Sequence, residues 1–284
     1  MNKLLLVVAL AISTNSFSQE FQGKAYYQTK TTMDLGSWGS KMSEQQKNMM
    51  KDRMKSFLEK TFILTFNKSE SIYKEEERLA APGQGGGGMI AMFAGGAAGE
   101  IYKDVKEKIY LQENEFFGKK FLIKDDLPIL KWKMGTEQKQ IGKYICFKAT
   151  AVRKVDDLDW RSMRAPKKPK TETDSIKSKK VTEVTEIEID IPKEVVVTAW
   201  YTPQIPVSNG PGESFGLPGL ILELNSDKTT ILCTKIVLNP EIKEEIVRPT
   251  KGDIVSKKEY NDIVKFKMDE MRENRGRGNG RRRF

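Results

Sequence analysis

Alternation between apolar and polar positions dominates this chain. Phe21 to Thr32 (FQGKAYYQTKTT) alternates roughly and is rich in aromatics and threonine, which predicts a first strand. Thr61 to Phe66 (TFILTF) predicts another, with Ser71 to Lys74 in its partner. Lys108 to Gln112, Phe121 to Lys124 and Lys143 to Val152 read as strands too. In the last of these, Tyr144, Cys146 and Lys148 fall on one face and Ile145 and Phe147 on the other. From Val184 the pattern becomes strongly extended: Ile187, Ile189 and Ile191 alternate with Glu186, Glu188 and Asp190. Val195 to Tyr201, Gly219 to Leu224 and Thr229 to Leu238 follow. The last two are joined by Asn225-Ser226-Asp227-Lys228, side chains that suit a hairpin turn. Strict alternation puts Leu220, Leu222 and Leu224 on one face, with Ile221 and Glu223 opposite.

Two stretches switch to a helical period. Ser43 and Gln46 have the spacing of a capping box, and Met50, Met54, Phe57 and Leu58 share one face of a helix from about Ser43 to Lys60. Ser256 and Glu259 repeat the box ahead of Tyr260, Ile263, Val264 and Met271, predicting a helix to about Arg272. No strand–helix–strand rhythm runs through the chain, which disfavours a parallel sheet. The expected fold is mainly β (α+β): a curved antiparallel sheet or half-barrel with one or two packed helices.

The first residues change the picture of location. One lysine, an uncharged run from Leu4 to Ile12 and the small-x-small end Ser16-Phe17-Ser18 have the order of a secretory signal peptide over residues 1–18. The run is too short to span a bilayer. The expectation is an exported protein, periplasmic or associated with the outer membrane. Residues 19–272 are expected to form one β-rich domain with flexible insertions near 80–100, rich in glycine and alanine, and 154–180, rich in charge. Residues 273–284 are expected to be a disordered arginine-rich tail.

Composition narrows the chemistry. The chain of 284 residues contains no histidine, which removes histidine-based nucleophilic catalysis and histidine-containing zinc sites. The carboxylate pairs Asp125-Asp126 and Asp156-Asp157 are neighbours that a strand points to opposite faces, so no catalytic residue is expected. Neither a cofactor nor a metal site is expected. Cys146 and Cys233 are the only cysteines, either a disulfide formed on export or two small buried side chains. The formal charge is +10, with much of the excess in the terminal MRENRGRGNGRRRF. In an exported protein such a tail points to an anionic lipid or polysaccharide surface rather than to nucleic acid.

One segment carries a family signature. Ser214 to Leu224 reads SFGLPGLILEL, and Gly216, Leu217, Pro218, Gly219, Leu220 and Ile221 spell the GLPGLI core. Upstream lie Leu127 to Lys133 (LPILKWK), Ile141 to Ala149 (IGKYICFKA) and Thr198 to Val207 (TAWYTPQIPV), in family order. Over about Tyr110 to Asn239 the chain resembles the GLPGLI family of exported Gram-negative envelope proteins. The resemblance implies no catalytic residue; it implies accessory or carrier work, with an outer-membrane TonB-dependent transporter or an apolar ligand such as a lipid as the partner. The strand–proline-turn–strand pattern also resembles envelope carriers of the LolA type, which implies a half-barrel. As physical chemistry, the two glycines permit tight or positive-φ backbone and Pro218 fixes φ between them. Trp132, Trp200, Tyr201 and Phe215 are the candidate binding surface, with sheet-core packing as their other role. The function expected is therefore non-catalytic binding or accessory work in the envelope, with attachment to an anionic surface through the basic tail as the alternative.

Overall fold

The computed structural model describes residues 21–32, 42–76, 98–154 and 194–279. The expected signal peptide, the glycine-rich insertion, the charged insertion with the strand expected at Ile187 to Ile191, and the last five residues lie outside the described residues.

Among the described residues the chain forms twelve strands and two helices. They are β1 (Gly23–Thr31), α1 (Glu44–Leu58), β2 (Glu59–Phe66), β3 (Glu70–Glu75), β4 (Ala98–Asp104), β5 (Ile109–Phe116), β6 (Lys119–Asp126), β7 (Lys133–Ile141), β8 (Tyr144–Lys154), β9 (Glu194–Thr202), β10 (Leu220–Ser226), β11 (Thr229–Leu238), β12 (Asp253–Val255) and α2 (Lys257–Asn279). The strands make one open, curved sheet in the order β12-β6-β5-β4-β3-β2-β1-β11-β10-β9-β8-β7. Every pair is antiparallel except β12 with β6. The sequence predicts β1 closely; it misses β4, β7 and the three-residue β12. β7 (KMGTEQKQI) has almost no apolar alternation, and its side chains are nearly all exposed. It is a strand because β8 supplies a hydrogen-bonding template, a tertiary cause that local pattern does not carry.

Both helices start where their capping boxes predict. The Ser43 hydroxyl accepts from the Gln46 amide at 3.2 Å and the Gln46 side chain accepts from the Ser43 amide at 2.9 Å. Ser256 and Glu259 repeat the exchange, at 3.2 Å from the Glu259 amide and 2.8 Å from the Ser256 amide. α2 continues beyond Arg272 to Asn279, across Gly276 and Gly278. Asp125 spends its carboxylate on structure, accepting from the Lys257 amide at 2.6 Å at the start of α2.

The main core gathers one face of β1 to β6 with Cys146, Leu220, Leu222 and Cys233, and is closed by Tyr260, Val264 and Met268 of α2. Tyr260 meets the Phe121 ring at 5.5 Å between centroids. A second core lies on the other face of the late strands: Ala149, Val197, Ala199, Tyr201, Leu217, Ile221 and Leu224. The alternation expected in β10 fails here. The β9–β10 register shifts between Ile221 and Glu223, so an extra residue reverses the facing. Leu224 therefore packs with Ile221, while Leu220 and Leu222 enter the main core.

After β11 the chain runs back across the early strands as an irregular strap. Ile246 packs against the cluster of Tyr102, Leu111 and Leu122. Arg248 pins it: its guanidinium donates to Asp104 at 2.9 Å, to Glu107 at 2.8 Å and to the Tyr102 hydroxyl at 2.8 Å.

Candidate functional site

The candidate site centres on the connection between β9 and β10. Two alternate backbone steps begin it, Val207 N donating to Ile205 O and Asn209 N to Val207 O, both at 2.8 Å. The returning strand then closes on it: Leu220 N donates to Ile205 O and Ile221 N to Asn209 O, both at 3.0 Å. Ile205 and Val207 are thereby buried in the main core. An apolar pair separated by one residue, with Pro203 and Pro206 limiting the backbone, is enough to direct this path.

The loop is then clasped from distant strands. Lys103 of β4 is fully buried, and its ammonium donates to the carbonyls of Gly210 at 2.7 Å and Ser214 at 3.2 Å. Burial pushes its pKa down to about 7, against a smaller pull upward from Glu213. Ser71 of β3 donates to the Asn209 side chain at 3.2 Å, and Lys257 of α2 holds Glu213 at 2.6 Å. The Trp132 indole donates to the Phe215 carbonyl at 2.8 Å. Four separate parts of the chain thus converge on residues 209–215. Each leaves a loop carbonyl or side chain satisfied, as burial requires.

The signature turn follows at once. Gly216 has φ +92° and is exposed, as is Pro218. Gly219 does not need positive φ; it is glycine because a Cβ there would collide with the carbonyl of Thr202. That close approach is what lets β10 leave the turn alongside the end of β9. Leu217 is 1% exposed and packs with Trp132 in the second core. Leu220 and Ile221 are fully buried, in the two different cores.

The expected binding surface therefore divides. Trp132, Tyr201, Leu217 and Ile221 come together, and Phe215, half-buried, packs on the main core. The Tyr201 hydroxyl donates to the Met134 sulfur at 3.5 Å. Trp200 lies on the opposite face of β9, under the Lys139 ammonium at 4.4 Å from its ring centroid. Lys139 also meets Glu223 at 2.6 Å, which takes a hydrogen bond from Asn225 at 2.8 Å. These aromatics anchor the sheet, and only the turn's Gly216 and Pro218 face solvent.

Cys146 of β8 and Cys233 of β11 are buried and unbridged in this structure. β9 and β10 lie between their strands in the sheet, and both side chains enter the main core. Burial pushes their thiols up, to about 11 and about 12 respectively. Lys103 was not legible as a site residue. A lysine in the stretch IYKD looks solvated; only its place two residues from Ile101, on the same strand face, hints that it points inward.

A family profile described as "Protein of unknown function (Porph_ging)" matches residues 132–223. That span begins at Trp132 and contains β7 to β9, the clasped loop, the signature turn and most of β10. No curated protein matches the sequence. Two solved structures of PNGF-II, in the C2 and P21 space groups, are similar over 86% of this chain at 12% identity, with TM-scores of 0.47 and 0.46. This chain spans about a third of each, 32% and 33%.

Proposed function

We propose that this chain is a non-catalytic envelope protein of the GLPGLI type that works by docking an outer-membrane partner. The observation that carries this reading is the surface of the late strands. Met134 and Ile145 are exposed on one face of β7 and β8, at 56% and 51%, and the directly paired Val152 and Val196 on the opposite face of β8 and β9, at 56% and 61%. Between Lys131 and Lys154 the chain carries seven basic residues and one acidic one. Exposed apolar positions set among charge suit a protein contact. The match to residues 132–223 supports the family reading because it contains the signature segment. Carriage of an apolar ligand fits less well: Ile205, Val207, Tyr260, Val264 and Met268 occupy the side of the sheet where such a ligand would sit.

A tagged full-length chain, cross-linked in its native envelope and analysed by mass spectrometry, tests this. A stoichiometric outer-membrane protein is the expected result. Recovery of a stoichiometric lipid and no protein would replace docking with carriage. A second reading, attachment to anionic lipid, is favoured by Phe266, exposed between Lys265 and Lys267 on the helix that leads into the arginine-rich end. Co-sedimentation with vesicles of phosphatidylglycerol separates it from docking.

A further inference from the structure

We propose that β7 is a docking edge that takes an acidic, extended segment of a partner protein as an additional strand. This rests on the docking reading above and names where and how docking occurs. β7 runs for nine residues at one end of the sheet, and among the described residues no strand lies beyond it. The other end is closed by β12, only three residues long and followed directly by α2. A sheet's outermost strand presents backbone donors and acceptors that an incoming strand satisfies.

Proteins usually blunt such an edge, and the manner of blunting here is informative. The register of β7 shifts between Met134 and Gln138, but Gln138 to Ile141 then pair regularly with Phe147 to Tyr144. A regular stretch is left available. The protection that remains is charge of one sign: Lys131, Lys133 and Lys143 are exposed along this rim. Positive charge repels a second copy of the same edge and attracts a segment of opposite sign. Glu137 does not reverse this, because it is paired with Lys148 at 2.7 Å.

Apolar positions complete the chemistry. Met134 pairs with Ala149 and Gln140 with Ile145, so Met134 and Ile145 stand on one face of the β7–β8 ladder, both exposed. An added strand would set every second side chain beside that face. The segment that fits alternates apolar residues with Asp or Glu.

The test uses the full chain from residue 19 with two capped nine-residue peptides, one alternating Glu with Val and one alternating Lys with Val. Fluorescence anisotropy measures binding, and hydrogen exchange locates it. The Glu peptide should bind at least about tenfold tighter than the Lys peptide, weaken with salt and slow exchange of the β7 amides. Lys133→Glu combined with Lys143→Glu should cost about tenfold in affinity without moving Tm. Equal binding of both peptides, or protection away from β7, overturns the proposal. So does protection of β7 in the free protein, which would show the edge already covered, or a concentration-dependent dimer that protects it, which would make a second copy the occupant. A partner recovered from the envelope that leaves β7 exchange unchanged would remove the edge while keeping the docking function.

Discussion

The early strands, β1 to β6, and the late strands, β7 to β10, solve the same problem with different materials. The early half buries large side chains, among them Tyr27, Phe66, Tyr73, Tyr110 and Phe121, and is covered by α2 on one face and the strap on the other. The late half sets the small or short Ala149, Val197 and Ala199 beside Tyr201, Leu217, Ile221 and Leu224, and leaves Val152 and Val196 open. Yet the family match falls on the late half. The recognisable residues are thus those that build a connection, and the mass of the core lies elsewhere. The connection holds the halves together: Lys103 and Ser71 of the early half hold Gly210, Ser214 and Asn209, and the Tyr27 hydroxyl donates to the Ile221 carbonyl at 2.7 Å.

The sharpest way to break this arrangement is Gly219→Val. Its side chain would have to displace the Thr202 backbone, which has no flexible end to move. A loss of about 3 kcal/mol or more is expected, read as a lower midpoint in urea. A midpoint within error of the parent would show that the turn relaxes freely and is not an architectural joint.

Leu217→Ala asks whether the signature serves packing or contact. Loss of a buried leucine from the second core should cost about 2–4 kcal/mol, whereas Val196→Ala on the open surface should stay within about 0.5 kcal/mol. Equal, small effects would move Leu217 from the core to the contact surface.

Lys103 sharpens the comparison through pH. Its folded pKa of about 7 lies below its ordinary 10.5, so between these values the unfolded chain holds a proton that the folded chain has released. This residue's contribution therefore makes stability rise with pH from about 7 to 10.5, and its penalty is complete below about 7. Subtracting the pH profile of Lys103→Met from that of the parent should reveal this rise. A flat difference across that range would show the ammonium to be better solvated than its burial implies. Removing the side chain also leaves the Gly210 and Ser214 carbonyls without their donor, so the variant should be less stable at neutral pH as well.

Arg248→Ala tests the strap. The strap keeps Ile246 in its cluster and the guanidinium is partly solvated, so only a small loss of stability is expected. Faster hydrogen exchange should be confined to residues 242–250 and their contacts. Global destabilisation would make the strap part of the main core.

The sequence by itself determined what depends on neighbours a few residues apart. The capping boxes at Ser43 and Ser256, the alternation in β1, β2 and β11, and the punctuation of Gly216-Leu217-Pro218-Gly219 are local, and each corresponds to a feature of the fold. Tertiary structure decided what depends on partners far along the chain. β7 exists because β8 pairs with it, and the facing of Leu224 follows from an extra residue in the β9–β10 ladder. Gly219 is held to glycine by the Thr202 carbonyl, not by its own φ. Lys103 becomes a clasp only because the sheet brings β4 under a loop that begins about a hundred residues later. A lysine is a surface residue by habit, since its charge favours water. Only an enclosing fold that offers two backbone carbonyls can hold it inside, and no short stretch of sequence records that enclosure.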